Sequence, residues 1–294
     1  MAKETRAGRP IVACEITAAQ VFAARAADRG GIDVLQARSI GSGVVPNLMN
    51  QNIIDVAGVK TVLSEALESA GARAKEITLV VPDASVRVVL LDFDTLPDRK
   101  AEADAVVRFR LKKALPFDVE RAAISYHVQL NGTTLKVIVA VMMNSVLGEY
   151  EGVVRDAGYL PGVVLPSTLA ALGNVKADDP AMVVKVAEGS TTIAILNQGR
   201  LLLYRTLDHG SRSSTAAETL AADIYPSAVF FQDMFGVPIE KIYLSGVALH
   251  DAMAERLSQE TSAPVEELVN PAFAELDPGS MPRSTLAGVL GALA

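Results

Sequence analysis

Three short aliphatic runs open the chain. Pro10–Ile16, Ala19–Ala24 and Asp33–Ile40 read as strands in meander, with Gly30-Gly31 in the second turn. The period then changes. Ile54, Val59, Val62, Leu63 and Leu67 recur at helical spacing, which predicts a helix over Ile53–Ala70 that Gly71 stops. Ile77–Val81 is again continuously apolar, a buried strand closed by Pro82-Asp83.

The next block differs in character. Val86–Phe93 is strand-like, and Asp98–Leu115 is a charged amphipathic helix with Ala103, Val107, Leu111 and Ala114 on one face. Pro116-Phe117 ends it, because proline lacks an N–H and restricts Leu115 to extended backbone. Arg121–Leu130 and Thr134–Met142 form a hairpin expected to turn on Asn131-Gly132. Ser145–Ala157 is helical, Tyr159–Val164 a strand and Ser167–Leu172 a short helix. Strand, helix, hairpin and helix make a compact α+β unit between two pieces of the first lobe.

After the linker Gly173–Pro180 the opening pattern returns. Strands Ala181–Ala187, Thr191–Leu196 and Arg200–Leu207, the last two joined by Asn197-Gln198-Gly199, precede helix Thr215–Phe235, strand Lys241–Leu244 and helix Ala248–Thr261. Pro226 predicts a kink in the long helix. Three meander strands, a helix and another strand thus occur twice, which predicts an α/β protein of two related lobes with a cleft between them. The expected division is residues 1–84, joined by 158–178, in the first lobe; 85–157 in an inserted subdomain; and 179–294 in the second lobe.

Composition narrows the function classes. Half of the 294 residues are hydrophobic, aromatics are few and Trp is absent, which suits aliphatic strands under helices. The net charge of −7 argues against nucleic acid as a partner and against an overall attraction to anionic membrane. The single Cys14 excludes an internal disulfide and fits a reducing compartment. The charged opening MAKETRAGRP lacks the apolar core of a secretory signal, and Leu286–Ala294 is too short to span a bilayer. A cytoplasmic protein, reaching a membrane only through a partner, is the expectation.

A duplicated bilobal α/β pattern with paired hairpins resembles the actin, sugar-kinase and Hsp70 superfamily, RNase H-like in each half. That resemblance implies nucleotide phosphates held between two glycine-rich hairpins, with an acid on each first strand positioning Mg²⁺. The second-lobe hairpin Val183–Thr192 is similar to Asp-Ile-Gly-x-Gly-x-Thr-Thr: Gly189, Ser190, Thr191 and Thr192 match, while Lys185 stands for the acid and Ala187 for the first glycine. In the first-lobe hairpin Glu15 keeps the charge but Thr17 replaces a glycine; Ser245-Gly246 resembles the adenosine-side motif with one glycine retained. Glu15, Thr17, Lys185, Gly189, Ser190, Thr191, Ser245 and Gly246 are therefore the candidate site, with ATP binding expected to be weak or absent. Lys185 is readable as a strand-end residue or a phosphate ligand, and Glu15 as a relict acid or a structural one.

Within the superfamily, Ala105–Phe117 continuing through Ile124–Val128 is similar to the PilM family, where a helix runs into a Pro-Phe corner and then a strand. Ile242-Tyr243-Leu244-Ser245-Gly246 after the helix ending at Phe235, and Ala263-Pro264-Val265 with Val269–Phe273, match other segments of that family. The resemblance implies an FtsA-type displaced subdomain and a scaffold of type IV pilus assembly. It also implies a partner, the N-terminal tail of an inner-membrane protein such as PilN, in a groove between the subdomain and the first lobe. Leu111, Lys112, Lys113, Pro116 and Phe117 are the expected peptide contacts. An active actin-like ATPase, a GspL-like component of type II secretion and a homo-oligomer stay open as alternatives.

His127, His209 and His250 lack metal-ligand spacing, so no metal site is expected. Neither a P-loop nor a G-x-G-x-x-G motif nor a G-x-S-x-G elbow is found, so no catalytic residue is assigned.

Overall fold

A computed structural model describes residues 10–27, 31–73, 75–176, 178–210, 215–269 and 281–294. The first lobe opens with strands β1 (Val12–Ile16), β2 (Gln20–Ala26) and β3 (Ile32–Ser39), helix α1 (Val56–Ser69) and β4 (Glu76–Val81). The inserted subdomain follows as β5 (Arg87–Phe93), α2 (Lys100–Ala114), β6 (Ala122–Asn131), β7 (Thr134–Met143) and α3 (Asn144–Asp156). β8 (Leu160–Pro166) and α4 (Ser167–Ala171) return to the first lobe. The second lobe has β9 (Ala181–Ala187), β10 (Ser190–Asn197), β11 (Arg200–Asp208), α5 (Ala217–Phe235), β12 (Lys241–Ser245), α6 (Asp251–Thr261) and β13 (Val265–Glu267), and the chain ends in α7 (Ala287–Gly291).

The duplication is plain in the sheets. The first runs β3-β2-β1-β4-β8 and the second β11-β10-β9-β12-β13. In each, an antiparallel meander is extended by two parallel strands reached through helical crossovers. The subdomain carries its own antiparallel sheet, β5-β7-β6, covered by Ala103, Val107 and Leu111 of α2. Its core is continuous with that of the first lobe: Val107, Val139 and Tyr150 belong to the same buried cluster as Val12, Leu63 and Leu79.

Two local details depart from the sequence expectation. α1 begins at Val56 rather than Ile53, because the Asp55 carboxylate accepts the Gly58 N–H at 2.9 Å and caps the helix. Ile53 pairs instead with Val44 in an isolated bridge, and Ile54 is exposed. The β6–β7 turn is Gly132-Thr133 rather than Asn131-Gly132, since Asn131 and Thr134 still pair. Only Gly132 has positive φ, as in a II′ turn. Pro226, where a kink is expected, lies inside the helix Ala217–Phe235. Of the Val269–Phe273 segment, residues after Val269 lie outside the described residues.

The chain's last helix touches both lobes, and its Ala287 joins Val183 and Ala194 of the second. Val289, Leu290 and Leu293 pack on Ala13, Phe22, Val80 and Ala170, covering the face of the first sheet opposite α1. Strand alternation then sorts the central residues. Cys14 points under α1 while Ala13 and Glu15 point toward α7; in β9, Met182, Val184 and Val186 join the core under α5, leaving Val183 and Lys185 on the side of the cleft.

Candidate functional site

Glu15 and Lys185 meet across the cleft. Lys185 Nζ lies 3.3 Å from Glu15 Oε1, and the two side chains are 7 % and 1 % exposed. The Ser167 hydroxyl at the start of α4 donates to the same carboxylate oxygen. The Val289 N–H of α7 donates to Oε2 at 2.8 Å. A Cβ on Gly288 would come within 2.5 Å of both oxygens, so α7 lies directly on the carboxylate. A buried pair is tolerated only when its remaining lone pairs are satisfied, and these contacts do that.

A second buried acid stands beside the pair. Asp83, just after β4, accepts the Thr168 N–H at 2.9 Å, the Thr168 hydroxyl at 2.6 Å and the Tyr204 hydroxyl at 2.8 Å. Burial raises its carboxyl above the usual range, opposed by the Lys185 charge and by the bonds from Thr168 and Tyr204. Removal from water, with the neighbouring Asp83 charge, likewise pushes the Tyr204 phenol well above its ordinary value. Tyr204 is on β11, so this bond too joins the lobes. A third link comes from the subdomain: Gln129 Nε2 donates to the Leu201 carbonyl at 2.6 Å and its Oε1 accepts the Leu201 N–H at 3.2 Å.

The remaining candidate residues are committed locally. Thr17 Oγ1 donates to the Gln20 carbonyl and accepts its N–H, both at 2.9 Å, closing the β1–β2 turn. Gly189 turns the β9–β10 hairpin, and Ser190 lies buried just after it. Thr191 Oγ1 is 3.0 Å from His209 Nε2. Ser245 Oγ donates to the Ser284 carbonyl at 2.6 Å. Gly246 has φ +86°, and a Cβ there would meet the Val186 carbonyl oxygen at 1.9 Å, so β9 and the end of β12 could not approach without glycine.

The cavity remaining between Glu15, Thr17, Asp83, Lys185 and Gly246 is about 150 Å³. Ligand pockets usually run from roughly 300 Å³ upward. A cavity of about 540 Å³ at the cleft mouth, by Val44–Leu48 and Gly189, carries Asp83, Glu188 and Asp208 against Arg87 alone. A triphosphate would meet three carboxylates there, and the Glu15 carboxylate that would hold Mg²⁺ is already bonded to Lys185, Ser167 and Val289. As arranged, the cleft fits neither the metal nor the nucleotide.

The subdomain presents a different kind of site. Ala123 and Ser125 of β6, Ala140 and Met142 of β7, Leu147 of α3 and Gly162–Val164 of β8 line a groove of about 380 Å³. β6 is the last strand of its sheet and β8 the last of the first-lobe sheet. Of the corner expected to face a peptide, Leu111 is fully buried in the subdomain core and Phe117 packs against it. Lys112 pairs with Glu120 at 2.7 Å, Lys113 lies over the Phe109 ring, and Pro116 is exposed. None of these five lines the groove.

No protein-family model and no curated protein matches this sequence. Solved structures do. The chain is similar to a PilM–PilN type IV pilus biogenesis complex with a TM-score of 0.81 and 18% identity, covering 96% of this chain and 97% of that one. The fold is that of PilM. Weaker likenesses are to a Bacteroides thetaiotaomicron protein of actin-like ATPase fold and unknown function (TM-score 0.56, 11% identity, 89% and 91% covered) and to the cytoplasmic domain of EpsL, an inner-membrane component of the Vibrio cholerae type II secretion system (0.50, 10%, 89% and 98%). Among the described residues no helix is long and apolar enough to cross a membrane.

Within this PilM-like fold, motif comparison found the two residues that meet at the cleft centre but missed those that hold them. Asp83, Ser167, Thr168 and Tyr204 belong to none of the hairpin motifs. A usable signal was there: Asp83 follows β4 and Ser167-Thr168 follow β8. Both are carboxyl ends of parallel strands, where α/β sheets collect their functional polar groups.

Proposed function

We propose that this chain is a cytosolic scaffold of the type IV pilus assembly platform, holding the N-terminal tail of a PilN-like inner-membrane protein as an extended strand. The groove between the β6–β7 face and β8 is the observation that carries this reading. Two sheet edges flank a channel lined mostly by apolar side chains. An added strand would take main-chain hydrogen bonds from an edge and set alternate side chains into the channel. The likeness to the PilM–PilN complex supports the same choice of partner. Bound this way, the protein would sit at the inner face of the membrane through its partner.

In this reading the cleft is a degenerate nucleotide site. The Glu15–Lys185 pair stands where a metal–phosphate bridge would otherwise join the lobes, and the protein needs no turnover to hold its shape. The Leu111–Phe117 corner acts as support, seating α2 on the sheet that forms one wall of the groove.

Calorimetry tests both parts. The N-terminal peptide of a PilN-like membrane protein from the same organism should bind the wild type, and Ile124→Asp should remove that binding while leaving the fold intact. No binding by the wild type would overturn the scaffold reading. A micromolar, Mg²⁺-dependent affinity for ATP, worth about −8 kcal/mol, would replace it with an actin-like ATPase.

A further inference from the structure

The outer face of α2 takes no part in the cleft or the groove. Between Ala105 and Phe117 the chain carries Arg108, Arg110, Lys112 and Lys113 and not one carboxylate, within a protein whose net charge is −7. Phe109 stands in the middle of this run and is 59 % exposed. An isolated exposed Phe is ordinary; one set among four cations on a helix flank is not.

The cations are held in different ways. Lys113 Nζ sits 4.8 Å from the centre of the Phe109 ring, and the Arg110 guanidinium 5.2 Å from that of Phe93, so both charges are kept over aromatic faces. Lys112 is paired with Glu120. Arg108 makes no hydrogen bond or ion pair among the described residues. It borders a basin of about 250 Å³ shared with Lys100, Asp104, Tyr126, Ile124 and Ser125. Asp104 in that basin is already occupied by Lys100 at 2.8 Å and by the Tyr126 hydroxyl at 2.7 Å, and these hydrogen bonds hold its carboxyl below the usual range. Arg108 acts on that carboxylate through its charge alone, without a hydrogen bond or ion pair, so its guanidinium donors are left for a ligand.

We propose that this face docks directly on an anionic phospholipid bilayer. Phe109 enters the headgroup–acyl boundary, Arg110 and Lys113 are drawn to the negative surface, and the Arg108 basin takes a headgroup phosphate. The apolar stripe of α2 is already buried on its own sheet, so the contact rests on cations around one exposed aromatic wedge, the combination that anionic surfaces attract. Repulsion from the acidic remainder of the chain is screened beyond about 8–10 Å at ordinary ionic strength, so a local patch decides the contact. Ile124 and Ser125 line both the basin and the groove, so the two open side by side. The proposal uses the partner-tail reading only for that shared orientation; the binding itself needs no partner.

The absence of Trp gives a clean probe, since Phe109→Trp introduces a sole indole. With vesicles containing phosphatidylglycerol, its emission should shift to the blue, and the shift should shrink as salt is added. Pure phosphatidylcholine vesicles should give no shift, and inorganic phosphate should not displace the protein. Arg110→Glu with Lys113→Glu should lower partitioning by at least about fivefold per cation lost. Sedimentation of the unlabelled wild type against Arg110→Gln with Lys113→Gln decides the matter if the indole disturbs the fold. Absence of binding to the phosphatidylglycerol vesicles, equal binding to both vesicle types, or indifference to charge reversal would overturn the proposal. So would loss of peptide binding in vesicle-free solution on charge reversal without any vesicle binding, which would make this face a protein contact. Because the vesicle assay omits the partner, its failure leaves the peptide result standing, and the converse also holds.

Discussion

The interlobe cleft and the subdomain groove are both walled by strands, yet their polar groups have opposite fates. In the cleft, Glu15, Lys185 and Asp83 are buried and bonded to one another's neighbours, across a span that joins both lobes and the last helix. In the groove, two strands end their sheets beside half-buried Ile124, Val163 and Val164. A site whose donors and acceptors are already paired has little left to offer a ligand. A site with open edges and apolar walls has both hydrogen bonds and burial to give. Under the proposed reading the groove binds and the cleft stabilises, and each half can be broken separately.

The largest effect is expected from Lys185→Met, which leaves the Glu15 carboxylate buried without its cation. Guanidinium unfolding should show a loss of about 3–5 kcal/mol, much of it recovered in the double variant Glu15→Gln/Lys185→Met, because removing one partner costs more than replacing both. A single-variant loss under about 1 kcal/mol would mean that the pair is not what holds the lobes together. Next comes Val163→Asp in the groove, expected to weaken the peptide at least about tenfold, or 1.4 kcal/mol. Glu15→Gln/Lys185→Met should leave that affinity unchanged. If the cleft variant alters it and Val163→Asp does not, the contrast is reversed.

Asp83 gives a smaller, pH-dependent signature. Its folded carboxyl titrates above the unfolded one, so the folded state keeps its proton longer as pH rises. The penalty is absent below the unfolded value of about 3.9, grows as pH climbs toward the raised folded value, and is complete above it. Asp83→Asn, with its amide able to donate to Thr168 Oγ1, should flatten this fall in stability when unfolding is followed against pH; an unchanged slope would assign it to other groups. The least effect is expected from Lys112→Ala. Its pair with Glu120 is exposed on both sides, and thermal unfolding should register no more than about 1 kcal/mol.

Much of the architecture was legible in the chain. The repeated meander, the inserted α+β unit and the apolar periods of α1, α2 and α5 each follow from local pattern, because burial on one face imposes a period of two or near 3.6. Helix starts were less legible: Asp55 and His250 stop the apolar pattern from extending backward by accepting Gly58 and Met253 N–H groups, a choice made by side-chain geometry. In the candidate site, the replacement of an acid by Lys185 could be read directly, but not what the lysine does.

What the sequence determined alone was the alternation that turns Glu15 and Lys185 away from their helices. Only the tertiary structure decided that they face each other. They are 170 residues apart, as Asp83 and Tyr204 are 121 apart, and α7 reaches Glu15 across 274. Periodicity records which side of an element is buried, since that depends on each strand's own neighbours. It carries no record of the partner, because a contact over such distances exists only once two independently patterned lobes have closed and fixed their spacing. The same reasoning separates Leu111 from Phe109. Both sit on one amphipathic helix, and the pattern assigns the first to a core, but only the packed subdomain leaves the second outside, ringed by charge.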